Sequence, residues 1–136
     1  KLRWSPDIIH CHGWFTSLVR IYIKKSYNDE PLFSNSKVVF SAYNSPLNDR
    51  FNDDFARKIQ YEGIEDKDLG EIQEPAFENL VGLAFRYSDG IIKGSAHFDP
   101  AIEGKIKNAS APVLDFQGEE EYMEAYSVFY DKILSA

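Results

Sequence analysis

Apolar residues in this chain gather into short runs, and the runs are separated by longer amphipathic stretches. Residues 7–12, Asp-Ile-Ile-His-Cys-His, predict a first strand. Residues 15–27 predict a helix, with Leu18, Val19, Tyr22 and Ile23 on one stripe and Arg20, Lys24 and Lys25 largely off it, on a solvated face. A loop with Asp29, Pro31 and Asn35 follows, then a second strand over 37–43, Lys-Val-Val-Phe-Ser-Ala-Tyr, closed by the turn signal Asn44-Ser45-Pro46. Phe51, Phe55 and Ile59 lie four apart and predict a helix over 51–61. The acidic stretch 62–74, with Gly63 and Gly70, reads as irregular and mobile. Residues 75–87 carry the clearest helical pattern, with Pro75 suited to the first helical position and Phe77, Leu80, Val81, Ala84 and Phe85 as the buried stripe. A short strand over 90–93 comes next, then a helix from Asp99-Pro100 to about Asn108 and a fourth strand over 112–116. The last helix, 119–134, opens on Glu119, Glu120 and Glu121, with Tyr122, Tyr126, Phe129 and Ile133 as its apolar face.

Short strands that are apolar on both faces and alternate with helices call for a parallel sheet covered on both sides. The expected fold class is therefore α/β, a Rossmann-like three-layer domain formed by residues 1–136 as one unit. At 136 residues the chain is long enough to bury a core without disulfides or metals. It opens on Lys1 and enters a strand at once, which suggests a piece of a longer polypeptide.

Charge narrows the partners. The net charge is −7, and residues 1–27 hold five of the basic groups (Lys1, Arg3, Arg20, Lys24, Lys25) against Asp7 alone. The acidic surplus elsewhere argues against nucleic acid, which requires clustered Lys and Arg. No apolar run reaches the length of a membrane span, so no membrane partner is expected. The single cysteine, Cys11, cannot form an internal disulfide, and a cytoplasmic setting is the default.

The junction after the first strand is the richest in chemistry. His10 and His12 alternate, so they share a face and Cys11 points away. Two histidines lack the third ligand of a catalytic zinc site, so no metal is assigned. A buried, hydrogen-bonded ring near a strand end accounts for each, and His12 lies nearer the crevice. Gly13 permits a sharp turn, and Trp14 opens the next helix, whose N-terminus suits an anion. Tyr43 and Asn44 end the second strand, beside the first if the two are neighbours. Tyr43 can stack on a sugar or donate a hydrogen bond, or simply cap the sheet as a half-buried aromatic. No dinucleotide or phosphate-loop pattern is present, and no cofactor is assigned.

Pro6-Asp7-Ile8-Ile9-His10-Cys11-His12-Gly13-Trp14 resembles the bacterial glycogen synthase and plant starch synthase family, in which the run reads Pro-Asp-(Val/Ile)-(Val/Ile)-His-x-His-Asp-Trp. Residues 37–44, Lys-Val-Val-Phe-Ser-Ala-Tyr-Asn, are similar to the family strand ending in Val-His-Asn. Residues 87–95, Tyr-Ser-Asp-Gly-Ile-Ile-Lys-Gly-Ser, are similar to Tyr-Ala-Asp-x-Ile-x-x-Val-Ser. The resemblance implies part of the N-terminal domain of a two-domain, GT-B type glycosyltransferase. Such enzymes move glucose from ADP-glucose to the non-reducing end of an α-1,4-glucan with retention of configuration. It also implies a substrate-binding site at His12, Gly13, Trp14, Tyr43 and Asn44. Trp14 and Asn44 match the family pattern. Gly13 stands where the family has Asp and Tyr43 where it has His, both active-site positions, so no catalytic role carries over to either. This chain alone is expected to be inactive. Two alternatives remain at this level: a degenerate glucan-binding or regulatory module of the same fold, and an unrelated flavodoxin-like domain that binds a phosphate or a protein.

Overall fold

The computed structural model describes residues 4–45 and 50–136, so Lys1 and Arg3 of the basic end and Pro46 of the predicted turn lie outside it. Four strands, β1 (Ile8–His12), β2 (Lys37–Ala42), β3 (Gly90–Lys93) and β4 (Val113–Leu114), form one sheet in the order β1-β2-β3-β4. Every pairing is parallel, with Ile8 opposite Lys37, Val39 opposite Gly90 and Ile91 opposite Val113. The chain is thus an α/β domain, as its pattern predicts.

Sequential strand order has a consequence for the layers. When every crossover leads to the next strand and turns the same way, its helices collect on one face. That face holds the larger core. Cys11, Val38, Phe40, Ala42 and Ile91 meet α4 (Phe77–Arg86) through Phe77, Val81, Ala84 and Phe85, and meet α5 (Pro100–Lys107) through Ile102 and Ile106. The other face is covered by α6 (Tyr122–Leu134), whose Phe129 and Ile133 pack on Val39 and Ile92. Gly90 makes this approach possible: a Cβ there would stand 2.9 Å from Ile133 Cδ1 and 3.0 Å from Phe129 Cε1.

Several predicted elements need correction. The helix expected over 15–27 is a 3-10 turn (Trp14–Thr16), a single α turn named α1 (Val19–Ile21) and a π turn (Tyr22–Ser26). Arg20, assigned to the solvated face, is buried. The helix expected over 51–61 shrinks to α2 (Phe55–Ile59). Pro75 is not the first residue of α4; Ala76 caps that helix and bridges to Arg50. Glu119 and Glu120 precede α6, and Glu121 is its N-cap.

The acidic stretch 62–74 is the largest departure. It contains α3 (Asp66–Leu69) and a 3-10 turn (Gly70–Gln73), and it buries Ile64, Leu69 and Ile72 against Ile21, Ile59, Leu80 and Leu83. Glu65 and Asp68 form a capping box at α3. The buried Asp68 carboxylate also meets Lys25 Nζ at 2.7 Å and accepts from the Tyr87 hydroxyl at 3.3 Å. The hydrogen bond from Lys25 is the main cause holding its pKa below the usual carboxylate value. An acidic composition here marks a helix cap and an ion pair laid over an apolar cluster.

Candidate functional site

Alternation along β1 sends Ile9 and Cys11 into the larger core and His10 and His12 to the α6 face. The two imidazoles stack, with centroids 3.9 Å apart. His10 is held at both nitrogens: Nδ1 lies 2.5 Å from the Tyr130 hydroxyl and Nε2 lies 2.7 Å from Ser41 Oγ. A neutral ring, donor at one nitrogen and acceptor at the other, satisfies both partners. Burial, reinforced by His12, lowers the pKa of His10 from 6.5 to about 4. Cys11 is buried on the opposite face, and burial pushes its thiol up, so it is no nucleophile at neutral pH.

His12, expected to be buried, is instead exposed because it ends the strand beyond the cover of α6, and its Nδ1 sits 3.0 Å from the Tyr43 hydroxyl. Gly13 then turns the chain. Its N–H donates to the Ser41 carbonyl, and its carbonyl accepts from both the N–H and the hydroxyl of Thr16. Its backbone, at φ 70° and ψ 173°, is a conformation that glycine alone adopts readily. A side chain at this position would be strained in this turn. Trp14 stacks on the exposed ring of Phe15 at 3.9 Å and meets Phe77 edge-on at 6.3 Å.

Tyr43 and Asn44 leave β2 at the same end of the sheet. A Cβ on Gly13 would lie 3.9 Å from Tyr43 Cδ2, so the Tyr43 ring closes over the turn after β1. Asn44 staples neighbouring loops: its N–H donates to Ser95 Oγ at 3.0 Å, and its side-chain oxygen accepts from the Asp99 N–H at 3.1 Å. His12, Gly13 and Tyr43 thus form one cluster, with Asn44 next along the chain and Trp14 on the turn. The result is a polar cluster with the exposed rings of Phe15 and Tyr43 at the carboxyl ends of parallel strands, where α/β sheets hold ligands.

The sequence reading missed several members. Ser41 and Tyr130 fix His10, Gly94 and Ser95 support Tyr43 and Asn44, and Tyr126 lines the same face. A signal existed for the tyrosines: Tyr122, Tyr126 and Tyr130 recur every fourth residue and make successive edge contacts at 5.6 and 6.3 Å. Nothing local in the sequence ties Ser41 or Gly94 to the histidines.

His97 is exposed on the loop after β3, and no group of three or more metal-ligating side chains converges among the described residues. An apolar cleft of about 670 Å³, lined among others by Ile9, Val19, Tyr22 and Phe33, takes in none of the five predicted site residues. No helix among the described residues is long and apolar enough to cross a membrane.

Comparison with known proteins agrees with the motif reading. Residues 1–103 match the family described as starch synthase catalytic domain. The chain is 27% identical over 103 residues to the glycogen synthase of Clostridium perfringens, covering 76% of this chain and 21% of that protein. It is 29% identical over 91 residues to the glycogen synthase of Photobacterium profundum (67% and 18%) and 42% identical over 45 residues to that of Chlorobium luteolum (33% and 9%). The chain therefore spans only 9% to 21% of the length of these relatives, by the covered share of each. No solved structure matches it. With its all-parallel α/β sheet and the matched stretch running from the first strand through the third, the chain belongs to the starch synthase catalytic domain family.

Proposed function

We propose that this chain is the acceptor-side part of the N-terminal domain of a GT-B glycosyltransferase. Its parent would act in a cytoplasmic setting, moving glucose from ADP-glucose to an α-1,4-glucan. The observation that carries this reading is the convergence of His12, Gly13 and Tyr43, with Asn44 adjacent, at the carboxyl ends of β1 and β2. In the proposed site Tyr43 offers an aromatic face to a sugar ring, His12 offers a ring nitrogen to a hydroxyl, Asn44 fixes the loop, and Trp14 anchors the turn. No catalytic group is assigned within these residues; the donor half and the remaining chemistry would belong to the rest of the parent.

Glucosyl transfer by the full polypeptide is the test, with labelled ADP-glucose, labelled UDP-glucose and a malto-oligosaccharide primer. Transfer from ADP-glucose is expected. Absence of transfer from either donor, with glucan binding retained, would establish the second reading, a glucan-binding module that has lost catalysis. That reading is favoured by one observation: the positive-φ turn at Gly13 leaves no carboxylate beside Tyr43.

A further inference from the structure

Tyr43 lies where another side chain would otherwise stand. A Cβ built on Gly94 falls 2.7 Å from Tyr43 Cδ1 and 2.8 Å from Cζ, with Cε1 nearer still. Atoms at that range cannot coexist, and neither partner has an easy retreat. The Gly94 N–H donates to the Ala42 carbonyl at 2.7 Å, the next residue pair is tied by the Asn44 N–H to Ser95 Oγ bond, and the Tyr43 hydroxyl is held by His12. The ring is thus seated on bare backbone and fixed at its tip, yet 42% of Tyr43 stays exposed. Two departures from the family patterns, Tyr for His at 43 and Gly for Val at 94, meet in this one contact.

Building on the glycosyltransferase reading, we propose that Gly94 is a positioning residue for ligand. By leaving the floor open it seats the Tyr43 ring as a pre-ordered platform on which a glucan pyranose stacks. A preset aromatic face loses little conformational freedom on binding, and the exposed His12 Nε2, with no hydrogen bond among the described residues, stands ready for a sugar hydroxyl.

Maltotetraose binding and thermal unfolding, measured on the full polypeptide, test this with Tyr43→Ala, Gly94→Val and the double variant. Tyr43→Ala is expected to weaken maltotetraose by about tenfold, the worth of one well-placed aromatic contact. Gly94→Val is expected to weaken it similarly and to lower Tm by roughly 5 °C through overpacking. In the Tyr43→Ala background, Gly94→Val should change neither quantity appreciably, an epistasis in affinity that a merely structural glycine would not produce. Additive effects, or Tyr43→Ala with wild-type affinity, would overturn the proposal. Tyr43→Ala introduces no clash, so wild-type affinity in that variant overturns the proposal even if Gly94→Val does not fold. A protein that binds maltotetraose through Tyr43 but transfers no glucose sinks the synthase reading and leaves this one standing. A protein that transfers glucose with Tyr43→Ala binding unimpaired does the reverse.

Discussion

At the scale of single residues, His10 is the group whose chemistry the fold changes most. Its ring is enclosed by Ser41, His12, Tyr126 and Tyr130, and both nitrogens are engaged. Burial disfavours the imidazolium, and the nearby His12 ring adds to the effect, so His10 titrates at about 4 in the fold against 6.5 in its absence. Between those values the unfolded chain binds more protons than the folded one, so acidification drives unfolding. The contribution of His10 is complete above pH 6.5 and is lost as pH falls to 4. Its size is about 2 kcal/mol once partial solvent access is allowed for. Urea unfolding at intervals across that window should show the decline, and His10→Gln should flatten it. An unchanged slope in the variant would mean that another group carries the dependence. Alternation alone placed His10 and His12 on one face with Cys11 behind them. It could not supply the partners of His10, because Tyr130 lies 120 residues away.

At the scale of elements, the connection from β1 to β2 shows where periodicity stops being informative. A regular helix puts Leu18, Val19, Tyr22 and Ile23 inward, but a 3-10 entry and a π exit rotate the residues between them. Ile21 becomes almost fully buried, and Arg20 turns in to form a two-pronged pair with Asp89, Nη2 to Oδ1 at 2.9 Å and Nη1 to Oδ2. The same carboxylate accepts the Val38 N–H at 2.7 Å, and the Asp89 N–H donates to the Val38 carbonyl. Burial alone would raise the Asp89 pKa; Arg20 and the Val38 N–H outweigh it and hold the carboxyl below its usual value. One pair thus ties α1 to β2 and to the start of β3. Removing one partner strands the other charge away from water, so Arg20→Ala should cost about 3 kcal/mol in urea unfolding. Asp89→Asn should cost less than an independent loss when added to it. A cost near zero would show that the segment is held by Ile21 and Ile23 alone. The resemblance quoted Asp89 as part of a motif, but only the fold reveals that its work is structural.

At the scale of the whole molecule, the first three strands and α4 were legible because each is a compact, mostly apolar pattern, and their parallel direction followed from the helices between them; the fourth strand, expected over 112–116, keeps only Val113 and Leu114 because Asp115 breaks the apolar run. The segment 62–74 was not, because its apolar residues Ile64, Leu69 and Ile72 are scattered among acids at no regular period. Their burial depends on neighbours from α1, α2 and α4. That cluster is continuous with the sheet core. Trp14 and Phe51 pack against both, so the turn that carries the candidate site is backed by the acidic segment as well as by the strands. If the two clusters are one cooperative unit, a cavity in the acidic segment must weaken the sheet. Ile72 is fully buried, and Ile72→Ala should lower global stability by about 3 kcal/mol. Amide exchange at Val38 and Phe40 in β2 should quicken by the same free energy as the segment itself. If 62–74 opens on its own, its amides will exchange faster while those of β2 keep their protection, and the loop face of the site would then rest on a locally unfolding support.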